Sequence, residues 1–294
     1  MNPFDLRGPQ FLLFYAGLLV IILVVTGRLR RRNELREAPY SEAPWNDPYR
    51  IAFLRGGRNE LVRVVVVSLV DRGLLEVKSD KVQTTTVGKG TEARKRIERE
   101  VLEYCLTARE PKELFSASRF NSAAQDYEAE LVRMRLLPDV ETRGQRRALF
   151  LSAAAVLLFF SVTKVVVAWT RGRMNVGFLI LLTIVALAFL LKTVNPRLTA
   201  RGNALLENVR NLFTSLKVRA PQIRPGGAST ELVMLVAVFG IAALPRENFV
   251  WTRRLFPRAD ATSNTGSCSS SCGSSCGSSC GGGGCGGGCG GCGG

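Results

Sequence analysis

Three apolar stretches constrain this chain more than any other feature of it. Residues 9 to 26 read PQFLLFYAGLLVIILVVT, 18 positions without a charge. As a helix rising about 1.5 Å per residue this extends roughly 27 Å, close to the ~30 Å hydrocarbon core of a bilayer. Residues 148 to 169 and 174 to 191 are the second and third stretches. The short run Thr170, Arg171, Gly172, Arg173 separates them, so they read as a transmembrane hairpin. Lys164 interrupts the second stretch near its far end, where a four-carbon stem reaches the headgroups. A cleavable signal peptide is the competing reading of the first stretch. Against it, MNPFDLRG lacks a cationic leader region and RLRRR follows where small residues would mark a cleavage site.

Charge orients the spans. The chain carries a formal +16 and no histidine. Arg28, Arg30, Arg31, Arg32 and Arg36 follow the first stretch, Arg143, Arg146 and Arg147 precede the second, and Lys192, Arg197 and Arg201 follow the third. Eleven cations on this side oppose three on the other (Arg7, Arg171 and Arg173). The positive-inside rule places the eleven in the cytoplasm, with the N-terminus outside.

The last 29 residues contain only glycine (14), serine (8) and cysteine (7). Such a segment has no apolar side chain to offset the entropy of ordering glycine, so 261 to 294 read as a disordered, low-complexity tail. Its thiols are Cys268, Cys272, Cys276, Cys280, Cys285, Cys289 and Cys292. In a reducing cytosol they stay free. Thiolates on a pliant backbone suit soft cations, and Zn²⁺ or Cu(I) is the metal this composition allows. No cofactor is required by the rest of the chain. Tight structural zinc sites favour paired C-x₂-C knuckles, and only Cys289 and Cys292 have that spacing. The same composition also fits a precursor whose side chains are cyclised or joined as thioethers, a redox-sensing or tethering strand, and a repeat-expanded tail with no ligand.

Between the first two spans, residues 28 to 47 read as a basic, proline-containing linker, and 48 to 140 as a small α+β domain. Asp47 and Pro48 signal a helix start, and Gly56 and Gly57 end that helix. A second helix covers 58 to 72. Residues 74 to 78 and 82 to 87 flank Ser79, Asp80 and Lys81 as a hairpin. A charged amphipathic helix is expected over 91 to 108, with Ile97, Val101, Leu102 and Cys105 on its apolar face, and a further helix over about 121 to 137. This order is winged-helix-like, which invites a nucleic-acid reading through Arg58, Asn59 and Arg63. The run VVVVSLV at 64 to 70 argues against it, because a helix apolar all round is buried.

Residues 192 to 260 read as a basic helical segment. The stretch 199 to 217 is an amphipathic helix expected to pack on the domain, and 231 to 244 is apolar but too short to span, hence buried or partly inserted. A fourth span there would move the tail outside.

The segments MNPFDLRGPQFLLFY and DPYRIAFLRGGRNELVRVVVVSLVDRGLLEV, together with the Gly/Cys tail, resemble an uncharacterised bacterial membrane-protein family. The resemblance implies a multi-pass protein of the cytoplasmic membrane and transfers no catalytic residue. The chain has no G-x-S-x-G, no P-loop and no histidine to serve Cys105 as a base. The reading is therefore a non-enzymatic scaffold, sensor or metal-handling accessory. Its partners are the lipid bilayer and a protein on the cytosolic domain; nucleic acid is weighed and set aside.

Overall fold

The structure is a computed structural model that describes residues 8–35, 47–78, 80–85, 93–170, 177–222, 226–227, 229–245 and 247–256. Its helices begin with α1 (Gly8–Leu35), α2 (Pro48–Gly56), α3 (Arg58–Asp71), α4 (Arg96–Tyr104), α5 (Pro111–Ser116) and α6 (Phe120–Arg133). Then come α7 (Val140–Thr170), α8 (Gly177–Val194), α9 (Ala200–Leu212), α10 (Thr214–Arg219), α11 (Thr230–Phe239) and α12 (Val250–Leu255). Strands β1 (Leu75–Lys78) and β2 (Lys81–Thr84) lie between α3 and α4.

Among the described residues, helices α1, α7 and α8 are the three long enough and apolar enough to cross a membrane, as the sequence predicts. They pack on one another around Tyr15, Ala153, Ala154, Leu157, Leu179, Ala186 and Leu190. Small residues let the backbones approach. The large apolar side chains point the other way: Leu13, Ile21, Leu151, Phe159, Phe178, Leu181 and Ile184 are all at least 57% exposed. A belt of this kind suits lipid and not water. Inside the bundle, Ser161 and Thr183 share a hydrogen bond of 2.9 Å, and the Tyr15 hydroxyl reaches Thr183 Oγ1 at 3.2 Å.

Two of these helices outrun their apolar stretches. Helix α1 continues through RLRRRNEL to Leu35, so residues 28 to 35 of the expected linker are helical. Nothing in that run breaks a helix, and the first proline after it is Pro39. Helix α7 likewise begins at Val140, before the apolar stretch. Both charged extensions reach the rest of the chain.

That rest has one core. Helices α2 to α6 contribute Ile51, Leu54, Leu61, Val65, Leu69, Val101 and Phe120, and the segment after the third span adds Leu206, Val209, Leu235, Val236, Val238 and Phe249 to the same cluster. Helix α11 packs on α2 and α3, with Leu232, Leu235, Val236, Ala237 and Val238 wholly buried. The stretch 231 to 244 is thus covered by protein and is not a span. The expected amphipathic helix over 199 to 217 breaks at Phe213 into α9 and α10, and it packs on the globule through Leu206, Val209 and Leu216.

The helix–helix–hairpin order appears as α2, α3, β1 and β2. The strands pair antiparallel with Val77 opposite Val82, and Asp80 takes the positive φ of the turn. The helix expected over 91 to 108 is shorter, because α4 ends at Tyr104 and the chain turns at Cys105 to Thr107. Arg109 exchanges backbone hydrogen bonds with Val82 at 2.9 and 3.0 Å and covers the edge of β2. Helix α5, not expected, begins at Pro111, the position where proline suits a first turn.

Candidate functional site

The junction between spans and globule is built from charged residues withdrawn from water. Glu34, near the end of α1, accepts from Arg146 Nε at 3.0 Å and Nη2 at 2.7 Å, and stands 3.7 Å from Arg30. Its second oxygen accepts from the Ala200 amide at 2.5 Å, at the start of α9. Arg146 also donates to the carbonyls of Pro196 at 2.6 Å and Leu198 at 3.1 Å, and Arg30 donates to that of Thr193 at 2.7 Å. The Glu34 and Arg146 side chains are 4% and 3% exposed. A buried pair of this kind holds because nearly every donor and acceptor around it is used.

Two further arginines tie the loop after α8 and the end of α2 into the globule. Arg197 donates to the Phe53 carbonyl at 2.7 Å across the face of the Phe53 ring, and burial lowers its pKa. It lies over Gly57, where φ is +74° and a Cβ would fall 2.7 Å from Nη2, so glycine is required there. Arg55 donates to the Val236 carbonyl at 2.8 Å and pairs with Glu60; burial lowers its pKa as well.

The globule holds a polar cleft of about 420 Å³ where the N-terminal ends of α2, α4 and α11 converge. Each end is answered from within the chain. Asp47 accepts from the Tyr49 amide at 3.1 Å, and Glu98 from the Arg94 amide at 2.8 Å. Asp71 accepts from the Gly226 and Ser229 amides at 2.8 and 3.0 Å. Carboxylates at helix N-termini are favoured by both the free amides and the helix dipole. Glu98, 2% exposed, also takes the Tyr49 hydroxyl at 2.5 Å and Arg72 Nη1 at 3.0 Å. Burial first, and the adjacent Glu98 second, push the Tyr49 phenol well above its usual range. The phenol therefore keeps its proton and donates. Glu98 thus accepts three hydrogen bonds from within the chain. Half-buried Arg50 and exposed Arg94 and Lys95 stand at the lining of the cleft as cations.

The seven tail cysteines lie outside the described residues. Cys105, the one described cysteine, is free and wholly buried, and desolvation raises its thiol to about 12. That is the small buried hydrophobe its position predicts. Among the described residues no group of three His, Cys, Asp or Glu side chains could hold a metal ion.

Arg58 and Arg63, the cations that a nucleic-acid reading would need, are engaged internally. Arg58 donates to the Phe115 and Ala117 carbonyls at 2.6 and 2.8 Å, and Arg63 pairs with Glu60 and stacks 5.0 Å over Phe115. Helix α3 itself is enclosed by α2, α4, α5, α6 and α11.

Sequence reasoning missed the junction. Its one signal is Glu34, the single acid in the basic run RLRRRNELR. Its partner Arg146 lies 112 residues away, which no local pattern reveals. No protein-family model, curated protein or solved structure matches the chain.

Proposed function

We propose that this chain is a non-enzymatic scaffold or sensor of the bacterial cytoplasmic membrane, of the kind its N-terminal motifs resemble. In this reading three spans hold the globule at the cytosolic face and present a tail whose seven thiols take Zn²⁺ or Cu(I). The observation that carries it is the Glu34 junction, which joins two spans and a globule helix through one buried carboxylate. A chain built only to anchor a tail needs no such joint. The excess of cations on the globule side of all three apolar stretches supports a cytosolic globule. The internal engagement of Arg58 and Arg63 and the burial of α3 count against a nucleic-acid role.

Labelling tests the arrangement cleanly because Cys105 is buried and its thiol is protonated at neutral pH, so a maleimide reports on the tail alone. A membrane-impermeant maleimide is expected to leave intact cells unlabelled and to label after permeabilisation; labelling of unbroken cells overturns the topology. Native mass spectrometry of protein purified without chelator then reads the tail. Bound metal that leaves on acidification supports the soft-cation reading, while covalent loss of water at serine or cysteine assigns the tail as a modified substrate.

A further inference from the structure

The polar cleft of the globule has mixed charge, whereas a second cleft, of about 380 Å³, does not. Arg143, Arg146, Arg147 and Phe150 stand at i, i+3, i+4 and i+7 of α7 and so share one face. Leu191 and Val194, three residues apart at the end of α8, line the cleft with them, and Arg197 adds a fourth guanidinium. No carboxylate is among the lining residues. Glu34 holds Arg146, Glu128 stands 3.5 Å from Arg143 with both side chains about half exposed, and Glu128 and Glu60 also act on Arg197 electrostatically. Arg147 is exposed, and no ion pair engages it among the described residues.

The end of a helix normally repels an anion through its free carbonyls. Here Arg30 takes the Thr193 carbonyl in the last turn of α8, and Arg146 takes those of Pro196 and Leu198 in the segment that follows. The cleft also lies where the candidate spans Val140–Ala168 and Gly177–Val194 meet the globule, which would be headgroup depth in a bilayer that they cross. Guanidinium forks match phosphate oxygens, and basic pockets between spans at this depth suit acidic headgroups. Phe150, Leu191 and Val194 give the cleft an apolar wall, which a free phosphate would leave unused and an acyl chain would cover.

We propose that this cleft binds the phosphate headgroup of an acidic phospholipid. Arg143 and Arg147 supply the contacts that exchange with solvent. Arg146, held by Glu34, and Arg197, held by the Phe53 carbonyl, form the fixed wall. The inference rests on the reading that α1, α7 and α8 cross a bilayer.

The test uses the full chain in detergent, titrated with phosphatidylglycerol or phosphatidylcholine and read by native mass spectrometry. The expected result is roughly tenfold tighter retention of the acidic lipid, lost on Arg143→Gln/Arg147→Gln. Arg99→Gln/Lys112→Gln, which removes the same charge from exposed positions of the globule, keeps the preference. Equal retention of the two lipids, or equal loss in both double variants, overturns the site. Thermal protection by soluble glycerol phosphate as large as that by the lipid assigns the cleft to a free phosphate and overturns the lipid reading. A chain that stays soluble without detergent overturns the membrane reading and this inference together, whereas one that needs detergent yet shows no lipid preference overturns this inference alone.

Discussion

Helices α8 and α11 are built from the same residue types and end in opposite surroundings. In α8, Phe178, Leu181, Ile184 and Phe189 face outward, and the inward positions include Thr183 and Ala186. In α11, the five residues Leu232, Leu235, Val236, Ala237 and Val238 are all enclosed by protein. Length separates them: 18 residues against 10. An apolar helix too short to cross a bilayer must be covered by its own chain, and α2, α3, α9 and α10 cover this one. Apolarity alone does not locate a membrane. What covers the side chains does.

The comparison breaks first at the joint between the two regions. Glu34→Ala strands Arg146 without its carboxylate and is expected to cost about 3–5 kcal/mol, seen as a drop in the thermal unfolding midpoint in detergent. Glu34→Gln/Arg146→Met should recover much of it; equal loss in both variants would mean that packing, not the stranded charge, sets the cost. Next, Leu235→Ala in α11 should lose about 3 kcal/mol, while Leu181→Ala in α8 changes stability in detergent by no more than about 0.5 kcal/mol. Similar values at the two positions would undo the contrast between them.

Gly202→Ala should cost about 2 kcal/mol, because its Cβ would fall 2.4 Å from the Leu136 carbonyl oxygen, a backbone atom that cannot swing aside. An unshifted midpoint would show that α9 slides freely. Cys105 supplies a pH test. Its thiol is raised by burial from 9.0 to about 12, so the folded state keeps its proton longer than the unfolded state does, and the stability present below pH 9 is lost as pH rises. By pH 10 this share is about 1.4 kcal/mol, and Cys105→Ala should flatten that part of the alkaline slope. The buried Tyr49 and Tyr127 phenols, both raised, push the slope in the same direction at higher pH. The smallest effect is expected from Thr183→Val inside the spanning bundle, about 0.6 kcal/mol, the usual worth of a hydrogen bond between membrane helices.

Much of this fold is legible in the chain because its signals are local. Asp47-Pro48 opens α2, the glycines at 56 and 57 close it, and the all-apolar run in α3 announces a buried helix. The three candidate spans follow from length and apolarity. What stayed hidden depends on pairs distant in sequence. Arg109, just past the expected helix, pairs with β2, which only the tertiary structure reveals. The cleft arises because Asp47, Asp71 and Glu98 cap three helix ends that meet only after folding. The cationic cleft is half legible: Arg143, Arg146 and Arg147 stand out as a basic cluster beside an apolar stretch, but the wall opposite them comes from α8.

Glu34 holds two things with one side chain: Arg146 on the second span and the first amide of α9. A swivel or piston stroke of α1 therefore pulls on both at once. Such a displacement is geared, through a single carboxylate, into α7 and the first turn of α9.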